Sequence, residues 1–146
     1  RPRMYACQSD GCPPMVTAFD AGLRFADAPP HPHTIASGLR VPLAVGDFLI
    51  LDAVRESGGK AMSASEQRIG EWMRLACATE GVALCPESAV CLGVLERALA
   101  DGEIGRNESV VVYNTGAVQK YVEAMAIDLP RLDHTQPIDW DRVAQA

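Results

Sequence analysis

The chain has 146 residues, 48% of them hydrophobic, and carries 13 Lys+Arg against 19 Asp+Glu for a net charge of −6. That is enough apolar material for one domain with its own core. No run approaches the ~18 apolar residues of a membrane span, and the acidic balance argues against nucleic acid or an anionic membrane as partner. A mean hydropathy of +0.01 predicts a soluble protein. The cysteines at 7, 12, 77, 85 and 91 are odd in number and form no CxxC pair. They are expected to be reduced, as in a cytoplasmic protein, with Cys77, Cys85 and Cys91 as small core residues.

In chain order, "RMYACQ" (3–8) is β-prone and predicts a strand. Pro13-Pro14 then open a short helix carrying Met15, Val16, Ala18, Phe19 and Leu23, closed by Gly22. Residues 24–42 hold prolines at 29, 30, 32 and 42 and no sustained periodicity. They form a long loop of a kind more often functional than merely connecting. "VGDFLILDAVRESGG" predicts a helix on the repeat Phe48, Leu51, Val54, stopped by Gly58-Gly59. "KAMSAS" is a brief strand. Ser63 and Glu66 match a capping box, and the helix that follows carries Ile69, Trp72, Met73 and Ala76 on one face and ends at Gly81. "VALC" is a third short apolar run. Pro86 opens a further helix with Leu92, Leu95 and Leu99 toward the core, ended by Asp101-Gly102. "SVVVY" (109–113) is a fully apolar strand, as in the middle of a parallel sheet. The domain extends over 1–125, and 126–146 is a tail with helical character only at its end.

Strands alternating with helices indicate an α/β fold, a parallel sheet with flanking helices. In such sheets ligands sit beyond the carboxyl ends of the strands. Two polar strand ends fall there and are expected to face one crevice: Asn114-Thr115-Gly116 and Cys85-Pro86-Glu87-Ser88. Each has two readings. Glu87 is either a first-turn acid favoured by the helix dipole or a carboxylate at the rim of the crevice. Thr115-Gly116 is either an ordinary turn or a presented hydroxyl. His31 and His33, separated by Pro32 and lacking an acid or cysteine cluster, are expected in a solvated loop rather than on a metal. Lys60 and Lys120, the only lysines, sit near glycine turns where solvated lysines are common. "NES" (107–109) matches a glycosylation acceptor without any sign of secretion, and neither a GxGxxG nor a P-loop is present.

Four segments in this order, "MYACQSDGCPPMVTAF", "TIASGLRVP", "ALCPESAVCLGVLERALADGEI" and "VVVYNTGAVQKY", resemble the C-terminal half of threonine synthase-like enzymes. These belong to the tryptophan synthase β-like group of pyridoxal 5'-phosphate (PLP) enzymes. The resemblance spans residues 3–121 and implies the C-terminal portion of that fold's large domain. It implies that Thr115 contacts the pyridine nitrogen of PLP and that Gly116 lets the backbone pass close to the ring. Glu87 and Ser88 would lie beside the cofactor, and Ala36, Ser37 and Gly38 in a loop lining the substrate site. The activity implied is conversion of O-phospho-L-homoserine and water to L-threonine and phosphate. The family's Schiff-base lysine and its glycine-rich phosphate loop belong to an N-terminal segment without a counterpart here. The chain is therefore expected to be a fragment, inactive alone, whose partners are the missing N-terminal half, an amino-acid substrate and further copies of itself. A related amino-acid dehydratase or ammonia-lyase, and a non-catalytic binding or oligomerisation module of the same fold, are the alternatives.

Overall fold

The computed structural model of the chain describes residues 1–124, 133 and 135–144. Strand β1 (Tyr5–Ser9) and strand β2 (Lys60–Ala64) pair in parallel, with Tyr5 opposite Lys60 and Ser9 opposite Ala64. A parallel pair needs a crossover. Here it contains helix α1 (Pro14–Asp20), the long loop and helix α2 (Asp47–Glu56). Helix α3 (Ile69–Glu80) and helix α4 (Pro86–Ala100) follow, and helix α5 (Trp140–Ala144) closes the described chain.

Helices cover both faces of the strands. On one side Met15 and Ala18 of α1 pack with Ala26 of the long loop and Leu51 of α2. On the other, Met62 and Ala64 of β2 meet Ile69, Trp72 and Met73 of α3 and Ala89, Val90, Val94 and Ala98 of α4. The expected faces of α2 and α3 are those observed, with Leu51, Val54, Ile69, Trp72, Met73 and Ala76 all buried. Gly58 and Gly81 stop these helices with positive φ, 70° and 65°, a conformation that costs glycine little. In the long loop the buried Asp47 accepts the Ala26 N–H at 2.7 Å through Oδ2, which ties residues 24–27 to the start of α2.

Several expectations need correction. Ser63 does not cap a helix: it lies within β2, and Glu66 instead binds Ser9 Oγ and accepts the Ile35 N–H at 2.6 Å. The buried face of α4 is Ala89, Val90, Gly93, Val94 and Ala98; Leu92 and Leu95 are half-buried and Leu99 is exposed. Small residues take the inner face because the Trp72 ring lies directly on Gly93. Cys77 is exposed on α3, Cys91 is half-buried, and only Cys85 of the three is a core residue; all five cysteines are free thiols.

The largest departure is at 109–113, which is extended but forms no strand ladder, and "VALC" contributes only one antiparallel bridge, Leu84 to Ala117. The cause is the lack of a neighbour: among the described residues β1 pairs with β2 alone. Segment 109–113 nevertheless runs the same way as β1. Arg3, just before β1, pairs with Glu108, just before the segment. At the other end, Ser88 at the start of α4 binds Asn114, while Cys91 one turn further along α4 faces Cys7 of β1. Between β1 and 109–113 lies a cleft of about 530 Å³, lined among others by Tyr5, Cys7, Cys91, Val94, Val111 and Tyr113. Val111 is 80% exposed and Tyr113 74%.

Candidate active site

Helix α4 begins at Pro86, whose missing N–H suits the first helical position, and its first turn carries Glu87 and Ser88. The turn Tyr113–Gly116 is folded over this helix start. Cys85 N–H donates to Gly116 O at 3.3 Å, and Val118 N–H donates to Ala83 O at 3.3 Å. A Cβ on Gly116 would lie 3.4 Å from the Cys85 side chain, in ordinary van der Waals contact. Ser88, 1% exposed, donates its hydroxyl toward Asn114 Oδ1 at 3.0 Å or Tyr113 O at 3.3 Å, and accepts the Thr115 N–H at 3.3 Å. The two polar segments singled out in the sequence do share one place.

Thr115 is exposed, and its hydroxyl has one long contact, 3.9 Å to Cys85 Sγ, leaving its proton available to a ligand. Gly38 comes to the site through Glu87, whose Oε1 accepts the Gly38 N–H at 2.8 Å; a side chain on Gly38 would meet that oxygen at 2.9 Å. Ser37 is exposed beside it, while Ala36 is fully buried in the main core and anchors the loop. Glu87 Oε2 is closed off from water, and the Cys85 thiol and Tyr121 hydroxyl are the side-chain groups that face this carboxylate.

Burial works against the Glu87 charge, but its own backbone N–H, the Gly38 N–H, the Cys85 thiol and the Tyr121 hydroxyl outweigh it and hold the carboxyl below the usual carboxylate range. The same carboxylate, and then burial, pushes the Tyr121 hydroxyl up. A carboxyl with a lowered folded-state pKa stabilises the fold at neutral pH, and that stabilisation is lost as pH falls through the lowered value. The 37–39 turn should therefore release from α4 only on acidification below the ordinary glutamate range. Following the Gly38 amide by NMR from about pH 7 to pH 3 should show a transition with that low midpoint. Glu87→Gln should abolish it, and a Gly38 signal indifferent to pH would contradict the contact.

His31 and His33 are exposed, and among the described residues no group of three metal-ligating side chains converges. Lys60 is engaged with Glu103 at the start of β2, away from the turn, and Lys120 is exposed. The sequence gives Tyr121 no role at the site, and Cys85 enters only as the first residue of the polar strand end 85–88. A lone aromatic after "QK" and a cysteine in an apolar run carry no spacing signal of their own. No helix of the described residues is long and apolar enough to cross a membrane.

The pyridoxal-phosphate dependent enzyme family matches residues 1–116. The chain is 33% identical over 119 residues to the threonine synthase of Methanosarcina acetivorans, covering 82% of this chain and 29% of that protein. To the threonine synthase of Methanocaldococcus jannaschii it is 34% identical over 115 residues, covering 79% and 28%. It thus spans between 24% and 37% of the length of the curated relatives it matches. Among solved structures it resembles maize serine racemase with a TM-score of 0.58 at 22% identity, over 84% of this chain and 38% of that one. That likeness carries the fold, an α/β arrangement of the tryptophan synthase β-like type. With the family match over most of its length, the chain belongs to the pyridoxal-phosphate dependent enzymes.

Proposed function

We propose that the chain is the part of a threonine synthase-type enzyme that holds the pyridine side of PLP and one wall of the substrate site. The reaction is conversion of O-phospho-L-homoserine and water to L-threonine and phosphate. The observation that carries this reading is the exposed Thr115 hydroxyl, held only by a long 3.9 Å contact to Cys85 Sγ at the end of an apolar segment and backed by a buried helix start. When bound, the cofactor supplies the electron sink for the reaction. The Thr115 hydroxyl donates a hydrogen bond to a ring nitrogen and leaves it unprotonated, where a carboxylate would draw a proton onto it. Gly116 admits the ring close to the backbone, Glu87 and Ser88 hold the adjoining helix start, and Ser37 and Gly38 form the substrate-side wall; Ala36, fully buried in the core, anchors that wall and does not line it. The cytoplasm is the compartment that fits free thiols.

Lys60 is engaged with Glu103 and Lys120 is exposed in the turn after the site, and the Schiff-base lysine and the phosphate site are assigned to an N-terminal half of the same enzyme. The cleft beside β1 supports this. Both its lips, the free edge of β1 and segment 109–113, lack a strand partner, and one further strand between them would supply it. Without that strand the exposed Val111 and Tyr113 favour self-association of the isolated chain.

The isolated chain should retain no PLP through dialysis, because the cofactor's roughly two negative charges need a nest of backbone N–H donors. Stoichiometric retention would give Lys60 or Lys120 a role denied to them here. The reading itself is tested by mixing the chain with a separately expressed N-terminal half, PLP and O-phospho-L-homoserine. Phosphate release by the mixture and by neither part alone is expected. Association without phosphate release, but with ammonia release from serine or threonine, would move the assignment to a dehydratase; neither association nor turnover would remove it.

A further inference from the structure

Among the described residues, none of 109–115 makes a backbone–backbone hydrogen bond. The hydrogen bonds of 109–115 within the described residues involve two side chains at the start of α4, Ser88 and Cys85. Ser88 makes most of them. A hydroxyl has one proton to give and two lone pairs to fill. Ser88 gives its proton to Asn114 Oδ1 or Tyr113 O, and receives the Thr115 N–H at 3.3 Å. Cys85 Sγ lies 3.2 Å away on its remaining side, where either atom can donate. So placed, the oxygen is surrounded by protein partners. At 1% exposure the hydroxyl is shut off from solvent. It presents no open face to a cofactor or substrate atom.

We infer that Ser88 is a positioning residue: it fixes the Tyr113–Thr115 backbone and so aims the Thr115 hydroxyl, without touching the cofactor itself. The inference narrows the site proposed above and rests on that reading for its functional meaning. The geometry it asserts belongs to this chain alone. The position suits the task. Ser88 is on a rigid, 15-residue helix, whereas the segment it holds has no ladder of its own. Cys85 secures the same turn from the other side through its N–H to Gly116 O, so the hydroxyl-bearing residue is gripped on both flanks.

The test is amide hydrogen exchange of the isolated chain, read residue by residue by NMR with no cofactor present, so that its outcome is independent of the proposed activity. In Ser88→Ala the Thr115 amide should exchange roughly tenfold faster than in the parent, while amides of Val90–Ala98 in α4 keep their rates. A general packing role would instead speed α3 and α4 together with Thr115. Asn114 is exposed, so Asn114→Ala cannot empty the core; by removing one Ser88 partner it should speed Thr115 exchange severalfold with the fold intact. An unchanged Thr115 rate in both variants, or equal acceleration throughout α4, would overturn the assignment.

Discussion

Thr115→Val in the complete enzyme lowers turnover by roughly 10- to 100-fold while the protein stays folded. Valine keeps the shape of threonine but cannot donate, and a hydrogen bond lost in a closed site costs on the order of 1–3 kcal/mol, which converts to that range of rates. Thr115→Ser keeps the hydroxyl and should be far milder. If Thr115–Gly116 were only a turn, the order would reverse: valine would be tolerated and serine, losing a methyl, would do no better. Turnover and thermal stability of the two variants, measured side by side, separate the cases. Full activity in the valine variant would remove Thr115 from the site.

Gly93→Ala has the largest expected effect on stability. A Cβ there would lie 2.4, 2.6 and 2.7 Å from three atoms of the Trp72 ring. That ring cannot retreat. It is 3% exposed, its Nε1 donates to Glu96 Oε2 at 2.8 Å, and the Arg68 guanidinium lies 4.8 Å over it. Forcing a methyl into such a contact costs about 1–3 kcal/mol, a fall of roughly 3–10 °C in Tm for a chain of this size. Trp72→Leu opens space at the same point, so adding it to Gly93→Ala should cost less than the sum of the two single changes. Thermal melts of the three variants check this, and a Gly93→Ala protein with the parent Tm would show that the α3–α4 contact is looser than described. Because α4 carries Cys85, Glu87 and Ser88 near its start, this contact also sets where the site begins.

What was legible in the sequence follows the strength of local signals. Helix α1 is marked by a proline start and helices α2 and α3 by glycine stops and apolar faces, but Leu23, expected on α1, lies beyond its end and is exposed. The inner face of α4 was misread because large leucines dominate a periodicity count, whereas the real contact is a glycine under a tryptophan from another helix. Ser63 and Glu66 have capping-box spacing, yet strand pairing claimed Ser63 and long-range partners at Ser9 and Ile35 claimed Glu66. Segment 109–113 has strand composition, but a ladder needs a neighbour, and none of the described residues supplies one. The proximity of 85–88 and 114–116 was readable from the rule that ligands gather at strand ends. The Gly38–Glu87 contact, 49 residues apart in sequence, has no periodic trace and emerges only from folding. The division at residue 125 falls at the edge of the described residues: 125–132, 134 and the last two positions lie outside them.

The central claim is that the Thr115 hydroxyl donates to the cofactor's ring nitrogen. Its most direct test is the nitrogen NMR signal of PLP labelled at the pyridine position, bound to the complete enzyme. The account predicts the signal of a neutral, hydrogen-bonded nitrogen that persists in Thr115→Ser and moves toward that of an unbonded nitrogen in Thr115→Val. A protonated nitrogen in the parent enzyme, or a signal that Thr115→Val leaves in place, would contradict it.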